Sequence, residues 1–143
     1  MGLFEFIKDT GRAVGLVDDE GAADRLKSEI RSLEIPVEDL EVNFAGGLAR
    51  VSGKVDTQEN REKIILTAGN IAGVEKVDDN LTVEREAPQA MFHTVERGDT
   101  LSGIAKKVYG DAMKYMVIFK ANQPMLKDPD RIYPGQVLRI PEL

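Results

Sequence analysis

The stretch at residues 66–79, LTAGNIAGVEKVDD, limits what the chain can fold into more than any other segment. Its pattern is typical of a helix end, a turn bracketed by Gly69 and Gly73, and the start of a strand. The last four carbonyl groups of a helix lack intrahelical partners, and the helix dipole makes that end partly negative. Because glycine tolerates positive φ, both glycines can turn further carbonyl groups into the same space. The stretch therefore predicts either an ordinary helix stop of the Schellman type or a cation site built from main-chain oxygens.

Apolar periodicity on both sides of this stretch predicts a domain with the element order α, β, β, α, β. Helical spacing predicts a helix over about residues 22–33, and alternation at residues 40–44 predicts a strand. Two glycines then form a tight turn before a returning strand at residues 48–55. Thr57 caps the next helix, and Val77 belongs to a third strand. We therefore expect an α+β arrangement with helices on one face of a small sheet.

The N-terminal segment, residues 1–21, is predicted to be helical and to pack on this domain. Leu3, Phe6 and Ile7 follow the i, i+3, i+4 spacing of a helix face. The last four residues of the segment form an acidic link to the domain, which extends over residues 22–84.

A second domain is predicted after a short polar linker at residues 85–91. Residues 92–143 show a short strand, two amphipathic helices, a loop containing prolines and a final strand. The charge changes at this boundary, because residues 1–90 carry a net charge of −8 and residues 91–143 one of +2. We therefore expect two small domains, the second with the order β, α, α, β.

Composition excludes several functional classes. The chain has no cysteine, which excludes disulfides, thiolate metal sites and a cysteine nucleophile. The acidic first domain disfavours nucleic acid as a partner, since phosphate binding requires a basic surface. The N-terminus does not match a secretory signal, and no apolar run is long enough to span a bilayer. We therefore expect a cytoplasmic protein without membrane insertion.

The polar residues give no reason to expect an enzyme. His93 is the only histidine, and we interpret it as structural or surface-exposed rather than as a base or a metal ligand. No Ser-His-Asp set can be assembled around it. Asp78 and Asp79 are interpreted as a solvated strand end rather than as ligands of a divalent metal.

Two groups of motifs resemble known domain families. Residues 92–141 resemble a LysM domain, with HTVERGDTLSGIAKKVYG as its opening and ANQPMLKDPDRIYPGQVLRIP as its close. Residues 22–84 resemble a BON domain, and the VSGKV strand and the GNIAGVEKVDDNL segment carry that resemblance. Preceded by MGLFEFIKD, the pair of domains resembles the small cytoplasmic potassium-binding proteins of bacteria. This resemblance covers essentially the full chain.

The resemblance implies a monomeric binder or sensor of the potassium ion (K⁺) rather than an enzyme. In that family, main-chain carbonyl groups of the N-terminal segment and of the turn after the second BON helix hold the ion. Transferred by motif, the implied ligands are the carbonyl oxygens of Ile7, Thr10, Arg12, Gly69, Ile71 and Val74. Several carbonyl dipoles suit a large monovalent ion because together they replace its hydration shell. We expect binding to attach the N-terminal segment to the BON core and to compact the two domains.

The LysM resemblance implies an alternative function. LysM domains generally bind glycans that contain N-acetylglucosamine, such as peptidoglycan, in a shallow groove between two loops. The corresponding residues of this chain are Gly98, Asp99, Thr100, Leu101, Gln123, Pro124, Met125, Leu126 and Ile132. Because such glycans lie outside the cytoplasm, the expected cytoplasmic location counts against this alternative.

Overall fold

The computed structural model describes residues 2–6, 19–71 and 73–143, which belong to two compact units. The first unit is Met1–Gln89 and the second is Ala90–Leu143. Both contain helices and strands, and the predicted α+β class is confirmed. Among the described residues, no helix combines the length and the apolar character needed to cross a membrane.

The first unit is a four-stranded sheet with two helices on one face. Its elements are β1 (Gly2–Glu5), α1 (Asp19–Arg31), β2 (Glu38–Ala45), β3 (Leu48–Thr57), α2 (Gln58–Gly69) and β4 (Lys76–Arg85). The strand order across the sheet is β1-β4-β3-β2. Strands β2 and β3 form an antiparallel hairpin, whereas α2 connects β3 to a parallel β4. From α1 onward, the predicted order α, β, β, α, β is confirmed.

Buried and exposed side chains alternate along the two central strands, and the buried ones face the helices. The buried residues of β3 and β4 include Ala49, Val51, Val55, Val77 and Leu81. Helix α2 packs on both of these strands, and α1 packs on β2 and α2. The opposite face carries ion pairs such as Arg50–Asp78 and Lys54–Glu84, whose side chains are 32–63% exposed. Only one face of the sheet is therefore apolar, as period-two patterning requires.

The N-terminal segment begins as a strand, so the helix predicted there is wrong over β1. This strand pairs antiparallel with β4 and places Phe4 opposite Val77. Phe6 is buried, whereas Leu3 is 56% exposed. The outer edge of β4 offers unpaired main-chain groups, and an alternating segment satisfies them while burying one of its faces. The rest of the predicted helix, residues 7–18, lies outside the described residues.

Helix α1 begins earlier than predicted, because residues 19–21, expected to be part of an acidic link, belong to its first turn. Acidic side chains are favoured there, since the helix dipole is partly positive at its N-terminal end. The buried face of the helix consists of Ala22, Leu26 and Ile30. Helical spacing therefore identified the buried face correctly but placed the start too late.

The second unit is a two-stranded sheet packed against two helices. Its elements are β5 (Met91–Thr94), α3 (Leu101–Tyr109), a 3₁₀ turn (Ala112–Lys114), α4 (Tyr115–Ala121) and β6 (Val137–Ile140). Strands β5 and β6 pair antiparallel, and the predicted order β, α, α, β is confirmed. The core includes Val95, Ile104, Ile118, Leu138 and Ile140.

Buried Asn122 joins the end of α4 to β6. Its side-chain Nδ2 donates to the carbonyl oxygens of Ile118 at 2.7 Å and Arg139 at 2.9 Å. Its Oδ1 accepts from the Arg139 amide at 2.7 Å. One side chain therefore satisfies main-chain groups of both a helix and a strand, as a buried polar group must.

Candidate functional site

Helix α2 leads directly to the predicted turn. Thr57 caps its N-terminal end, because the Thr57 hydroxyl accepts a hydrogen bond from the Asn60 amide at 3.1 Å, so the predicted cap is confirmed. Most of its side chains from Glu62 onward are buried, including those of Ile64 and Ile65. A helix buried on several sides is held firmly, and its C-terminal carbonyl groups are fixed with it.

The C-terminal end of α2 tightens instead of forming a Schellman stop. The Asn70 amide donates to the Leu66 carbonyl at 3.0 Å, and the Ile71 amide donates to the Ala68 carbonyl at 3.3 Å. Asn70 keeps right-handed helical geometry, with φ of −82°. The left-handed conformation occurs later, at Gly73, where φ is 98°. The chain therefore reverses after the helix and not at its last residue.

Gly69 serves a different purpose from the one predicted. It is the last residue of α2 and is absent from the positions with positive φ, so it does not supply the turn. A Cβ added to Gly69 would lie 2.0 Å from Cζ of Phe6 and 2.2 Å from its Cε1. The aromatic ring thus occupies the space of the missing side chain. Glycine is needed here for close approach.

The three predicted ligands in this region lie within one short segment. Gly69 ends the helix, Ile71 follows in the bend, and Val74 is buried two residues before β4. The Ile71 carbonyl accepts from the Val74 amide at 3.1 Å. A carbonyl oxygen has two lone pairs, so this bond leaves capacity for a second interaction. Ala72 lies outside the described residues.

Strand β1 brings the N-terminal segment to the same turn. The Phe6 amide donates to the Glu75 carbonyl at 2.9 Å, one residue before β4 begins. The predicted ligands Ile7, Thr10 and Arg12 lie outside the described residues. In the part of the chain that the structure describes, no three acidic, histidine or cysteine side chains are grouped so that they could hold a metal ion.

A charged cleft lies between α2, β1 and β4, and sequence reasoning missed it. The cleft has a volume of about 280 Å³, and Phe4, Arg61 and Asp79 are among its lining residues. The Arg61 Nε lies 2.7 Å from the Asp79 Oδ2, and the other carboxylate oxygen accepts from the Leu81 amide at 3.0 Å. The prediction of a solvated strand end is therefore wrong for Asp79, which is 1% exposed. The sequence did contain a signal for this burial, because side chains alternate along a strand and Asp79 lies on the same face as Val77 and Leu81.

The loops of the alternative glycan groove belong to the second unit. Leu101 and Leu126 are both buried in the core of that unit, and Met125 and Ile132 pack against it. Gln123 and Pro124 are joined by a cis peptide bond. Gly98 has φ of 90°, with open space where a side chain would project. The leucines therefore support the loops from within, since their side chains do not reach the surface.

Asp99 and Thr100 of this groove have structural partners. The Thr100 hydroxyl caps α3 by accepting from the Gly103 amide at 3.0 Å. The Asp99 carboxylate lies 3.0 Å from the His93 Nε2 and accepts from the Glu96 amide at 2.9 Å. Burial of Asp99 opposes its ionisation, but these two hydrogen bonds outweigh that effect and lower its pKa.

Two domain families match the chain. The BON domain family matches residues 18–85, and the LysM domain family matches residues 93–141. The two matched segments lie in the first and second units respectively.

Several known proteins are similar to this chain. The potassium binding protein Kbp of Escherichia coli is 46% identical over an alignment that covers 99% of each chain. A protein of Deinococcus radiodurans is 34% identical over 71% of this chain and 44% of its own length. The YqbP protein of Bacillus subtilis is 31% identical over 63% of this chain and 47% of its own length. The similarity to the Escherichia coli protein thus extends through both units.

Proposed function

The chain belongs to the family of the potassium binding protein Kbp, and on that premise we propose that it binds K⁺ in the cytoplasm as a monomer. The observation that carries the proposal is the 46% identity to Kbp over 99% of both chains. The ligands that we propose are main-chain carbonyl oxygens. They belong to Gly69, Ile71 and Val74 after α2, and to Ile7, Thr10 and Arg12 of the N-terminal segment.

The position of β1 supports this choice of ligands. Residues 2–6 run along β4 to the turn that contains Ile71 and Val74. Ile7 follows Phe6 directly in the chain, and the Phe6 amide is bonded at the Glu75 carbonyl. Two segments distant in sequence therefore meet beside the turn that carries Ile71 and Val74, which supports ligands from both segments.

The physical chemistry of K⁺ also supports the site. K⁺ is large and monovalent, so it gains more from several carbonyl dipoles than from one carboxylate. The C-terminal end of α2 carries the partly negative end of the helix dipole. Gly73, with φ of 98°, turns the chain after that end, which allows successive carbonyl groups to converge. Main-chain ligands also leave the side chains at these positions free to vary.

We further propose that K⁺ binding attaches the N-terminal segment to the first unit and compacts the protein, and that this change lets it act as an ion sensor. A ligand that binds only the native state stabilises it by RT ln(1 + [L]/Kd), or about 2.7 kcal/mol at a hundredfold excess over Kd. A decrease in the radius of gyration on adding K⁺, measured by small-angle X-ray scattering, tests the compaction. An unchanged radius with saturating K⁺ would rule it out.

A thermal melt of metal-stripped protein tests the proposed function directly. KCl, NaCl and CaCl2 are compared at matched ionic strength in Tris buffer, so that general screening affects all three equally. We expect a rise in Tm that is selective for K⁺ and saturates with its concentration. Equal shifts with all three salts would contradict a selective carbonyl site.

A matched pair of glycine variants locates the site. Gly73→Ala places a side chain at φ of 98°, and Gly98→Ala does the same at φ of 90° in the second unit. Both changes strain the backbone by a similar amount. We expect the K⁺-dependent rise in Tm to be lost in Gly73→Ala and kept in Gly98→Ala. A rise that Gly73→Ala keeps, or that both variants lose equally, would contradict a site at the turn after α2.

The LysM match supports glycan binding as a second candidate function. An isothermal titration with chitin oligomers tests it, because these supply N-acetylglucosamine without the rest of peptidoglycan. Binding that Gly98→Ala weakens would favour the groove of the second unit. A flat titration would remove this candidate and leave the K⁺ proposal untouched.

A further inference from the structure

Phe6 links the N-terminal segment to the turn after α2. Its ring fills the space where Gly69 lacks a side chain, with Cζ, Cε1 and Cε2 all within 2.3 Å of an ideal Cβ position. Phe6 is 6% exposed, whereas Leu3 of the same strand is 56% exposed. The main chain is fixed as well, because the Phe6 amide donates to the Glu75 carbonyl.

The contact is demanding on both sides. The ring requires a glycine at position 69, since any Cβ there would overlap it. Strand β1 has only four residues, and a pairing of this length is weak without buried side chains. The buried ring therefore contributes much of what holds the segment against β4 and the end of α2.

We propose that Phe6 is a positioning residue for the ion, which sets K⁺ affinity by docking the N-terminal segment onto Gly69. This inference rests on the proposed function, because it concerns the same carbonyl site. Phe6 itself supplies no ligand in this scheme. It keeps the end of strand β1 beside the turn that follows α2.

Because docking of the segment and K⁺ binding are thermodynamically linked, the change in docking sets the direction and size of the change in Kd. When only a fraction f of the molecules has the segment docked, the apparent Kd is the intrinsic Kd divided by f. Removing the ring lowers f, so part of the binding free energy of K⁺ must then be used to dock the segment. A tenfold drop in f raises the apparent Kd about tenfold. Affinity for K⁺ therefore reports the docking equilibrium.

Isothermal titration of K⁺ into a set of four variants tests the proposal. Phe6→Ala removes the ring, Phe6→Leu keeps an apolar side chain of different shape, and Gly69→Ala adds the obstructing Cβ. Leu3→Ala is the matched control on the exposed side of the same strand. We expect Kd to rise about tenfold or more in the first three variants and to stay at the wild-type value in the control.

The double variant Phe6→Ala/Gly69→Ala tests whether the ring acts through its contact with Gly69. The three atoms nearest to the added Cβ all belong to the ring, so the second substitution should cost little once the ring is gone. We expect the Kd of the double variant to be no higher than that of Phe6→Ala. Additive losses would overturn the proposed contact.

The remaining outcomes separate the inference from the proposed function. If the wild type does not bind K⁺, the proposed function fails and the inference fails with it. If the wild type binds K⁺ and Phe6→Leu lowers Tm without changing Kd, Phe6 is only structural and the inference alone fails. Far-UV circular dichroism confirms that each variant is folded, and Phe6→Leu decides the question where Phe6→Ala does not fold.

Discussion

Replacing Asp79 with alanine removes the carboxylate that neutralises Arg61 inside the first unit. Asp79 is 1% exposed, and the Arg61 side chain is 15% exposed. The substitution leaves a mostly buried guanidinium without its counterion at 2.7 Å. It also removes the oxygen that accepts from the Leu81 amide at 3.0 Å. Each of these groups therefore loses a partner that the fold supplies.

The expected cost follows from these two losses. Breaking a buried ion pair by removing one partner typically costs about 3–5 kcal/mol, because an uncompensated charge remains. A buried amide that loses its acceptor costs about 1–3 kcal/mol, and the two effects overlap at one side chain. We therefore expect Asp79→Ala to lower the free energy of unfolding of the first unit by about 3–5 kcal/mol. Such a loss is a large part of the stability of an ordinary domain.

Native-state hydrogen exchange is the suitable assay, because it reports each unit of the full chain separately. The most protected amides of β3 and β4 give the free energy of opening of the first unit, and those of α3 serve as an internal reference. Asp78→Ala is the matched control, since the Arg50–Asp78 pair at 3.5 Å is exposed and should contribute less than about 1 kcal/mol. A loss below about 1 kcal/mol for Asp79→Ala, or equal losses for the two variants, would refute this account of the buried pair.

Two further predictions concern the second unit. Asn122→Ala removes three hydrogen bonds to Ile118 and Arg139. We expect it to lower the free energy of unfolding by about 2–4 kcal/mol, measured by urea denaturation. A loss under about 1 kcal/mol would contradict the role of this side chain. Asp99→Asn should destabilise the unit at pH 7, and the difference from wild type should close as the pH falls below 3.8, the usual pKa of aspartate. The pH dependence has this direction because folding lowers the pKa of Asp99. The carboxylate therefore stabilises the unit above the unfolded-state pKa, and this stabilisation is lost as the folded carboxylate takes up a proton. A difference between Asp99→Asn and wild type that persists at low pH would contradict this account.

The elements that the sequence predicted well are those whose signals are local. Strand alternation in β2 and β3, the cap at Thr57 and the helix faces of α1 and α3 depend on neighbouring residues. Strand β1 was missed because Leu3, Phe6 and Ile7 also fit a helix face, and four residues are too few to separate the two periods. Pairing with β4 decides the conformation, and that partner lies far away in the sequence.

The candidate site shows the same division between local and distant causes. The turn after α2 could be predicted because Gly73 supplies positive φ within a few residues of the helix end. The purpose of Gly69 could not, since it depends on a ring contributed by β1. Asp79 could be predicted only in part. Its position in the alternation of β4 indicates burial, but only the fold shows that Arg61 neutralises it.

Strand β1 also affects how the protein can be handled. It covers the edge of β4 from Lys76 to Asp79, and without it those main-chain groups would be open to pair with another chain. The opposite edge has its own protection, because β2 is irregular near Asp39, which has φ of 54°. Removing residues 1–6 should therefore cause self-association, which light scattering would detect as an increase in mass with concentration. An affinity tag is better placed after Leu143, where it leaves this edge covered.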